Sequence, residues 1–177
     1  MSNRLNITVY KLSTPEEKRR YWRYFHRHHY LSSDLNVAAD CYVGWLWGNP
    51  VAFYACLRYP SGSVKNAYRG HRLVVLPDYQ GMGIGNRFSA TIGQFYVNMG
   101  CRFFAKTANR KLGDYRNSSP QWRATSKNMK RRKDVLESKR IKYNNITDKS
   151  LAMRLCYSHE YIGVTDAIHA PCHPASP

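Results

Sequence analysis

The chain has 177 residues, of which 43% are hydrophobic and 14% aromatic, a composition that excludes an intrinsically disordered protein. It contains no run of eighteen apolar residues, and residues 1–6 lack the apolar core of a signal peptide, so we expect a cytoplasmic protein with one domain at 1–168 and a flexible proline-rich tail at 169–177. The 28 Lys and Arg residues against 11 Asp and Glu give a formal charge of +17, which favours nucleic acid as the partner.

The first third of the chain predicts a strand, a helix and a hairpin. Residues 6–12 alternate as in a short strand, and the helix that follows has a start signal in Pro15 and in the capping-box spacing of Thr14 and Glu17. Two aromatic, β-rich runs at 41–47 and 51–59 flank a turn of Gly, Asn and Pro. These two runs predict a β-hairpin.

A histidine cluster lies at the end of the first predicted helix. His26, His28 and His29 precede Tyr30, and residues three or four apart share one face of a helix. Three histidines beside a carboxylate, for which Asp114 is a candidate, would make an iron or zinc site. Nothing in the sequence brings Asp114 close to them, so a structural role for the histidines stays open.

A glycine-spaced turn follows a buried strand at 67–76. Gly81, Gly83 and Gly85 stand at every second position and lead into a predicted helix at 86–98. Without Cβ atoms, the amides of such a turn can converge on phosphate oxygens at the positive end of the helix. A dinucleotide site would need an acidic residue about 20 positions further on, and Ala105 and Lys106 stand there instead. The turn predicts a cradle for a phosphate-bearing cofactor.

This segment resembles motif A of the GNAT superfamily of acyl-CoA-dependent N-acyltransferases, through Gln80, Gly83 and Gly85. The resemblance implies an α/β fold with a mixed, mainly antiparallel sheet of six or seven strands flanked by helices and splayed at the acyl-CoA site. It also implies acetyl-CoA or another acyl-CoA as cofactor, with the pyrophosphate on the loop amides and the pantetheine along the strand. The implied cofactor-binding residues are Leu73, Val74, Val75, Leu76, Gln80, Gly81, Met82, Gly83, Ile84 and Gly85.

Acyl transfer to an amine needs a group that takes the amine proton and an acid that reprotonates the thiolate. Many GNAT relatives carry a glutamate on the fourth strand, but between residues 66 and 76 this chain has only Tyr68 and His71 as candidates. We expect His71 to serve there. The family's acid is often a tyrosine after the fifth strand, which makes Tyr115 the expected acid here, although a packed structural tyrosine is an equal alternative.

The second half of the chain carries a basic insertion at about 117–142. Nine of its residues between 123 and 142 are Lys or Arg, and this run predicts contacts to a phosphate backbone, with a solvated loop as the alternative. Closing strands are expected at 151–156 and 160–164. The expected nucleic-acid-binding residues are Arg123, Lys127, Lys130, Arg131, Arg132 and Lys133.

Within the superfamily, residues 28–31 (His-His-Tyr-Leu), the strand at 72–77 and the basic block after Tyr115 resemble the phage and mobile-element branch that includes the Mom DNA-modifying enzymes. That resemblance implies modification of adenine N6 in DNA, an anti-restriction role and an iron requirement. It implies a chemical centre of His29, Tyr30, Asp114 and Tyr115, with His29 and Asp114 as metal ligands. Two alternatives are an ordinary N-acetyltransferase acting on a protein, an aminoacyl-tRNA or a small amine, and an inactive GNAT scaffold that binds nucleic acid.

Overall fold

A computed structural model describes residues 6–29, 34–59, 63–131 and 154–163. These residues form one mixed sheet with the strand order β1-β2-β3-β4-β5-β8-β6, in which β7 pairs with β8. In chain order the elements are β1 (Thr8–Leu12), α1 (Pro15–Phe25), β2 (Asp40–Leu46), β3 (Asn49–Arg58), β4 (Ala67–Val75), α2 (Ile84–Asn98), β5 (Arg102–Thr107), α3 (Arg110–Ser118), β6 (Trp122–Ala124), β7 (Lys130–Arg131) and β8 (Leu155–Tyr161).

The amino-terminal half forms as its local signals predict. The Thr14 side chain accepts a hydrogen bond from the Glu17 amide, and the Glu17 carboxylate accepts one from the Thr14 amide, which completes the capping box of α1. Trp47 and Gly48 both have positive φ at the tight turn between β2 and β3, as hairpins with right-handed strand twist require. Helix α1 packs Trp22 and Phe25 onto Phe53 of the sheet. The predicted helix start and hairpin are both confirmed.

The sheet opens between β4 and β5. These two strands run parallel and pair only from Ala67 with Arg102 to Arg69 with Phe104. Beyond that point β4 stays paired with β3 alone, and its register shifts by one residue at His71, which forms a β-bulge. The backbone edge of β4 from residue 70 onward therefore faces a gap and not another strand.

Helix α2 packs against the face of the sheet opposite to α1. Ile84, Phe88, Ile92 and Tyr96 recur at helical spacing and are buried in the main core cluster. The rings of Tyr96 and Phe103 stack at 5.3 Å between centroids, which fixes the helix over β5. This packing holds the first turn of α2 at the mouth of the gap.

The carboxy-terminal part corrects one expectation. Two strands were expected at 151–156 and 160–164, but the described residues 154–163 form one strand, β8, which runs without a break through Ser158 and His159; residues 151–153 and 164 lie outside the described ranges. The strand continues through these polar residues because His159 pairs with Ala105 in the ladder, and its Nε2 lies 2.8 Å from Asn117 Oδ1. The predicted insertion at 117–142 begins within the sheet, since Trp122 is buried on β6.

The α/β fold with a mixed, mainly antiparallel sheet splayed beside the glycine loop is confirmed. The described residues contain eight strands where six or seven were expected, because the short β6 and β7 add to the count. In the described ranges no helix is long and apolar enough to cross a membrane. The expected tail at 169–177 lies outside the described residues.

Candidate functional site

A cavity of about 890 Å³ fills the gap between β4 and β5. One wall is the free edge of β4 from Gly70 to Val75, and the other is the end of β5 with the first turn of α3. The glycine loop closes one end, and the start of β8 with His28 and His29 borders the rest. Its volume is in the range of cofactor and ligand sites, so this is the candidate functional site.

The glycine loop has the backbone form that a phosphate cradle needs. Gly81 and Gly83 have φ of 84° and 75°, and a Cβ built on either would meet no protein atom within 4 Å. Gly83 is the residue before the first turn of α2, whose amides are unpaired at the helix start. The Gln80 side chain donates a hydrogen bond to the Val75 carbonyl (2.9 Å), which ties the loop to the end of β4.

Eight of the ten residues expected to bind the cofactor line this cavity. Leu76 and Met82 are the two that do not, because both pack into hydrophobic clusters: Leu76 against the core under α1, and Met82 against the core under α2. Tyr79 and Asn86 also line the cavity, although the sequence did not predict them. The eight are Leu73, Val74, Val75, Gln80, Gly81, Gly83, Ile84 and Gly85.

The inner end of the cavity contains a buried arginine that the sequence pattern did not predict. Arg116 is 2% exposed, donates to Ser89 Oγ at 2.7 Å and hydrogen-bonds the Tyr54 hydroxyl, while its guanidinium stacks 4.4 Å from the Trp122 ring. A Cβ on Gly70 would overlap that hydroxyl, so the cluster lies against β4 where it leaves β5. Burial lowers the pKa of Arg116 and raises that of Tyr54.

Three histidines border the cavity. His28 and His29 follow α1, with the His29 ring 5.8 Å from that of Trp22, and His71 stands at the bulge of β4. Burial and the neighbouring Arg72 and Arg69 guanidinium groups lower the pKa of His71 to about 4, so its imidazole is neutral at pH 7. Of the expected catalytic residues, His29 and His71 are therefore brought together in one cavity; Tyr30 lies outside the described residues.

Asp114 and Tyr115 of α3 are not among the residues that line the cavity. Tyr115 is 40% exposed, and Asp114 Oδ2 lies 3.4 Å from Arg110 Nε and hydrogen-bonds Tyr157. Arg116 is the residue of this part of α3 that lines the cavity, and Tyr115, the residue before it, is rotated from it by about 100° around the helix axis. Tyr157 of β8 does line the cavity, and burial followed by the hydrogen bond to Asp114 raises its pKa.

The expected iron site is not assembled in the part of the chain that the structure describes. Within those ranges no three His, Cys, Asp or Glu side chains form a group that could hold a metal ion. His29 is at the cavity and Asp114 is engaged with Arg110 and Tyr157. The described residues alone do not assemble a metal site, and we derive no chemical step through one.

The cavity is strongly cationic. Among its described lining residues there are six Lys or Arg and no Asp or Glu: Arg72, Lys106, Arg110, Lys111, Arg116 and Arg154. A second cavity of about 580 Å³ adjoins the first, since Gly70 and Lys106 line both. It contains five Lys or Arg side chains and one carboxylate, Glu160. We call this second cavity the basic groove.

The predicted nucleic-acid-binding residues divide between the basic groove and a neighbouring strand. Arg123 and Lys127 line the groove, and Arg123 donates to Glu160 at 2.7 Å. Glu160 also accepts from Arg102 at 2.6 Å, and these hydrogen bonds, that of Arg102 above all, lower its pKa. Lys130 and Arg131 are exposed on β7, while Arg132 and Lys133 lie outside the described residues.

Comparison with known proteins points to one family. The family described as Acetyltransferase (GNAT) matches residues 6–113. A comparison of the sequence with curated proteins found no match.

Solved structures share the fold at low sequence identity. An acetyltransferase of Bacillus subtilis in complex with CoA is 13% identical, with a TM-score of 0.57 over 89% of this chain and 98% of its own. The ribosomal-protein-S18-alanine N-acetyltransferase of Escherichia coli is 13% identical, with a TM-score of 0.57 over 91% and 97%. A GNAT family acetyltransferase of Elizabethkingia anophelis with acetyl-CoA bound is 13% identical, with a TM-score of 0.52 over 88% and 97%. At these identities the likeness supports the fold and not a substrate.

Proposed function

Because the chain belongs to the acetyltransferase (GNAT) family, we propose that it transfers an acyl group from acyl-CoA to an amine of a nucleic-acid base, with adenine N6 in DNA as the preferred acceptor. The observation that carries the acceptor class is the charge of the cavity, six cations with no described carboxylate, continued by the basic groove. A neutral or cationic amine acceptor would not need that charge, whereas a polyanion does.

The donor occupies the gap between β4 and β5. Its pyrophosphate accepts hydrogen bonds from the amides around Gly81 and Gly83 at the start of α2, where the helix dipole favours negative charge. Its pantetheine arm pairs with the free edge of β4, which has unpaired peptide groups available. The acyl group then lies near His71 and Gly70, at the inner end of the cavity.

In the transfer step the amine nitrogen attacks the thioester carbonyl carbon, the N–C bond forms and the C–S bond breaks. The amine proton passes to His71, directly or through water, because this imidazole is neutral at pH 7. The thiolate takes a proton from a tyrosine. Tyr157, which lines the cavity, is the candidate for this role in place of Tyr115, which is 40% exposed and is not among the described lining residues.

The cationic side chains exceed what the donor needs. Coenzyme A carries about four negative charges on its pyrophosphate and ribose phosphate. Arg116 lies at the inner end of the cavity, away from the phosphates, so the other five cations of the cavity are those that can meet these charges. The basic groove adds four more cations of its own against Glu160: Arg69, Arg102, Arg123 and Lys127. The ring of Tyr59 packs 5.1 Å from that of Phe104, with the Arg102 guanidinium 4.9 Å from Phe104. Cations interleaved with aromatic rings are the surface that a nucleic-acid strand uses.

The test is a competition between acceptors. The purified protein is incubated with acyl-CoA labelled in its acyl group, in the presence of duplex DNA, single-stranded DNA, RNA and a protein extract together. We expect the label in DNA nucleosides. Label confined to protein or to small amines would contradict the nucleic-acid assignment, and coenzyme A binding without any transfer would indicate an inactive scaffold.

A second candidate function is acetylation of a protein or a small amine. The specific observation in its favour is the fold shared with an enzyme named for acetylating an alanine of ribosomal protein S18. The same competition decides between the two, because both substrates are present at once.

A further inference from the structure

We propose that Arg116 binds a carboxylate at the far end of the donor's acyl group, so that the donor is a dicarboxylic acyl-CoA of the malonyl or succinyl class. This inference rests on the proposed function, since it names the donor of the same site. It starts from a buried cation at the inner end of the cavity.

The surroundings of Arg116 are neutral. Its hydrogen-bond partners are the hydroxyls of Ser89 and Tyr54, and its guanidinium stacks on the Trp122 ring. Among the described residues its Nε has no hydrogen-bond partner, and no carboxylate forms an ion pair with it. An arginine side chain does not lose its proton in a protein, so the positive charge remains when it is buried.

A buried charge of this kind is costly without a counter-ion. The free energy lost when a cation is removed from water is offset when an anion with good hydrogen-bond geometry pairs with it. Among the described residues, the buried side chains near it offer hydroxyl and aromatic groups and the His159 imidazole but no carboxylate, while the cavity is open to a ligand. The anion that Arg116 requires is therefore one that the ligand brings.

The position along the cavity decides which part of the ligand this is. The phosphates lie at the glycine loop, beyond Val75, whereas Arg116 adjoins Tyr54 and Gly70 at the opposite end of the free β4 edge. The part of acyl-CoA furthest from its phosphates is the acyl group. The thiolate and the oxyanion exist only during the reaction, and the cost of the buried charge is present throughout. A carboxylate on the acyl chain is a permanent anion, and the guanidinium fork matches it.

The transfer chemistry is unchanged by this assignment. The amine still forms the N–C bond as the C–S bond breaks, and the distal carboxylate keeps its charge. The product amine would carry an acyl group that ends in a carboxylate.

Calorimetric titration with four probes tests the inference: coenzyme A, acetyl-CoA, malonyl-CoA and succinyl-CoA. A hydrogen bond to a charged group contributes about 1.5–3 kcal/mol, so we expect malonyl-CoA or succinyl-CoA to bind roughly 10- to 150-fold more tightly than acetyl-CoA. Equal affinities for all three acyl-CoAs would overturn the inference while leaving coenzyme A binding in place. No binding of any probe would instead refute the proposed function.

Arg116→Met separates binding from a structural role, with the exposed Arg19→Met as the matched control. We expect Arg116→Met to bind acetyl-CoA within about threefold of wild type, to lose the preference for the dicarboxylic donors, and to melt at a higher temperature without ligand. A variant that melts lower and keeps the preference would show that Arg116 only supports the fold. If Arg116→Met does not fold, the wild-type preference alone decides.

Discussion

Gly83→Ala should abolish most of the affinity for coenzyme A without unfolding the protein. Gly83 lines the cavity with φ of 75°, and the Cβ of alanine would enter space that contains no protein atom within 4 Å. That space is where the pyrophosphate meets the loop amides. Gly100 provides a matched control, since its φ is 72°, its Cβ would also meet nothing within 4 Å, and it follows the far end of α2.

The expected magnitudes follow from these two positions. Alanine in the left-handed region costs about 1–2 kcal/mol, so both variants should lose similar stability. Only Gly83→Ala should also lose one or two charge-assisted hydrogen bonds to phosphate, at about 1.5–3 kcal/mol each. Losing one such bond weakens coenzyme A binding roughly 10- to 150-fold.

Calorimetry at one temperature measures this difference, with coenzyme A and with pantetheine, which lacks the pyrophosphate. Gly83→Ala should weaken coenzyme A binding and leave pantetheine binding unchanged, while Gly100→Ala changes neither. Equal coenzyme A affinities for the two folded variants would refute the phosphate cradle.

Two further predictions concern charge. Replacing the exposed Lys127 and Lys130 by Gln should reduce the slope of log affinity for duplex DNA against log salt by about 0.9 for each phosphate that these lysines neutralise. The control variant Arg19→Gln on α1 should leave that slope unchanged. An unaltered slope in the double variant would mean that these lysines do not bind phosphates. Burial, followed by the charge of Arg116, lowers the pKa of His159 from 6.5 to about 4. Between pH 6.5 and 4 the unfolded chain therefore binds more protons than the folded one, and the free energy of unfolding should fall as the pH drops through this range. In urea titrations His159→Gln should recover on the order of 1–3 kcal/mol of that decrease, and an identical pH dependence in the variant would contradict the cause.

The features with local causes could be predicted from the sequence. The capping box at Thr14 and Glu17 and the spacing of Gly81, Gly83 and Gly85 depend on neighbours within four residues. The β4–β5 gap followed from the resemblance carried by that loop, and the strand pairing confirms it.

The residues that the sequence did not predict depend on tertiary contacts. Arginine is rarely buried, and the location of Arg116 follows only when α3 packs against β6 and α2. The sequence did contain an indication that Arg116 is buried. Leu112, Gly113 and Arg116 share one face of the helix, and Leu and Gly are residue types often found buried. Tyr115 lies one residue out of phase with that face. The continuity of β8 through His159 could not be predicted either. The side-chain partner of His159 is Asn117, which lies 42 residues away in the chain, beyond the reach of any local pattern.

Mass spectrometry of nucleosides tests the central claim most directly. DNA is isolated from cells that express the wild-type protein and from cells that express Gly83→Ala at the same level, and the nucleosides are compared. The proposed function predicts an acyl-type adduct of deoxyadenosine in the first sample and its loss in the second. Unmodified nucleosides in both samples, from cells whose purified wild-type protein is folded and binds acyl-CoA, would contradict the assignment of DNA as the acceptor.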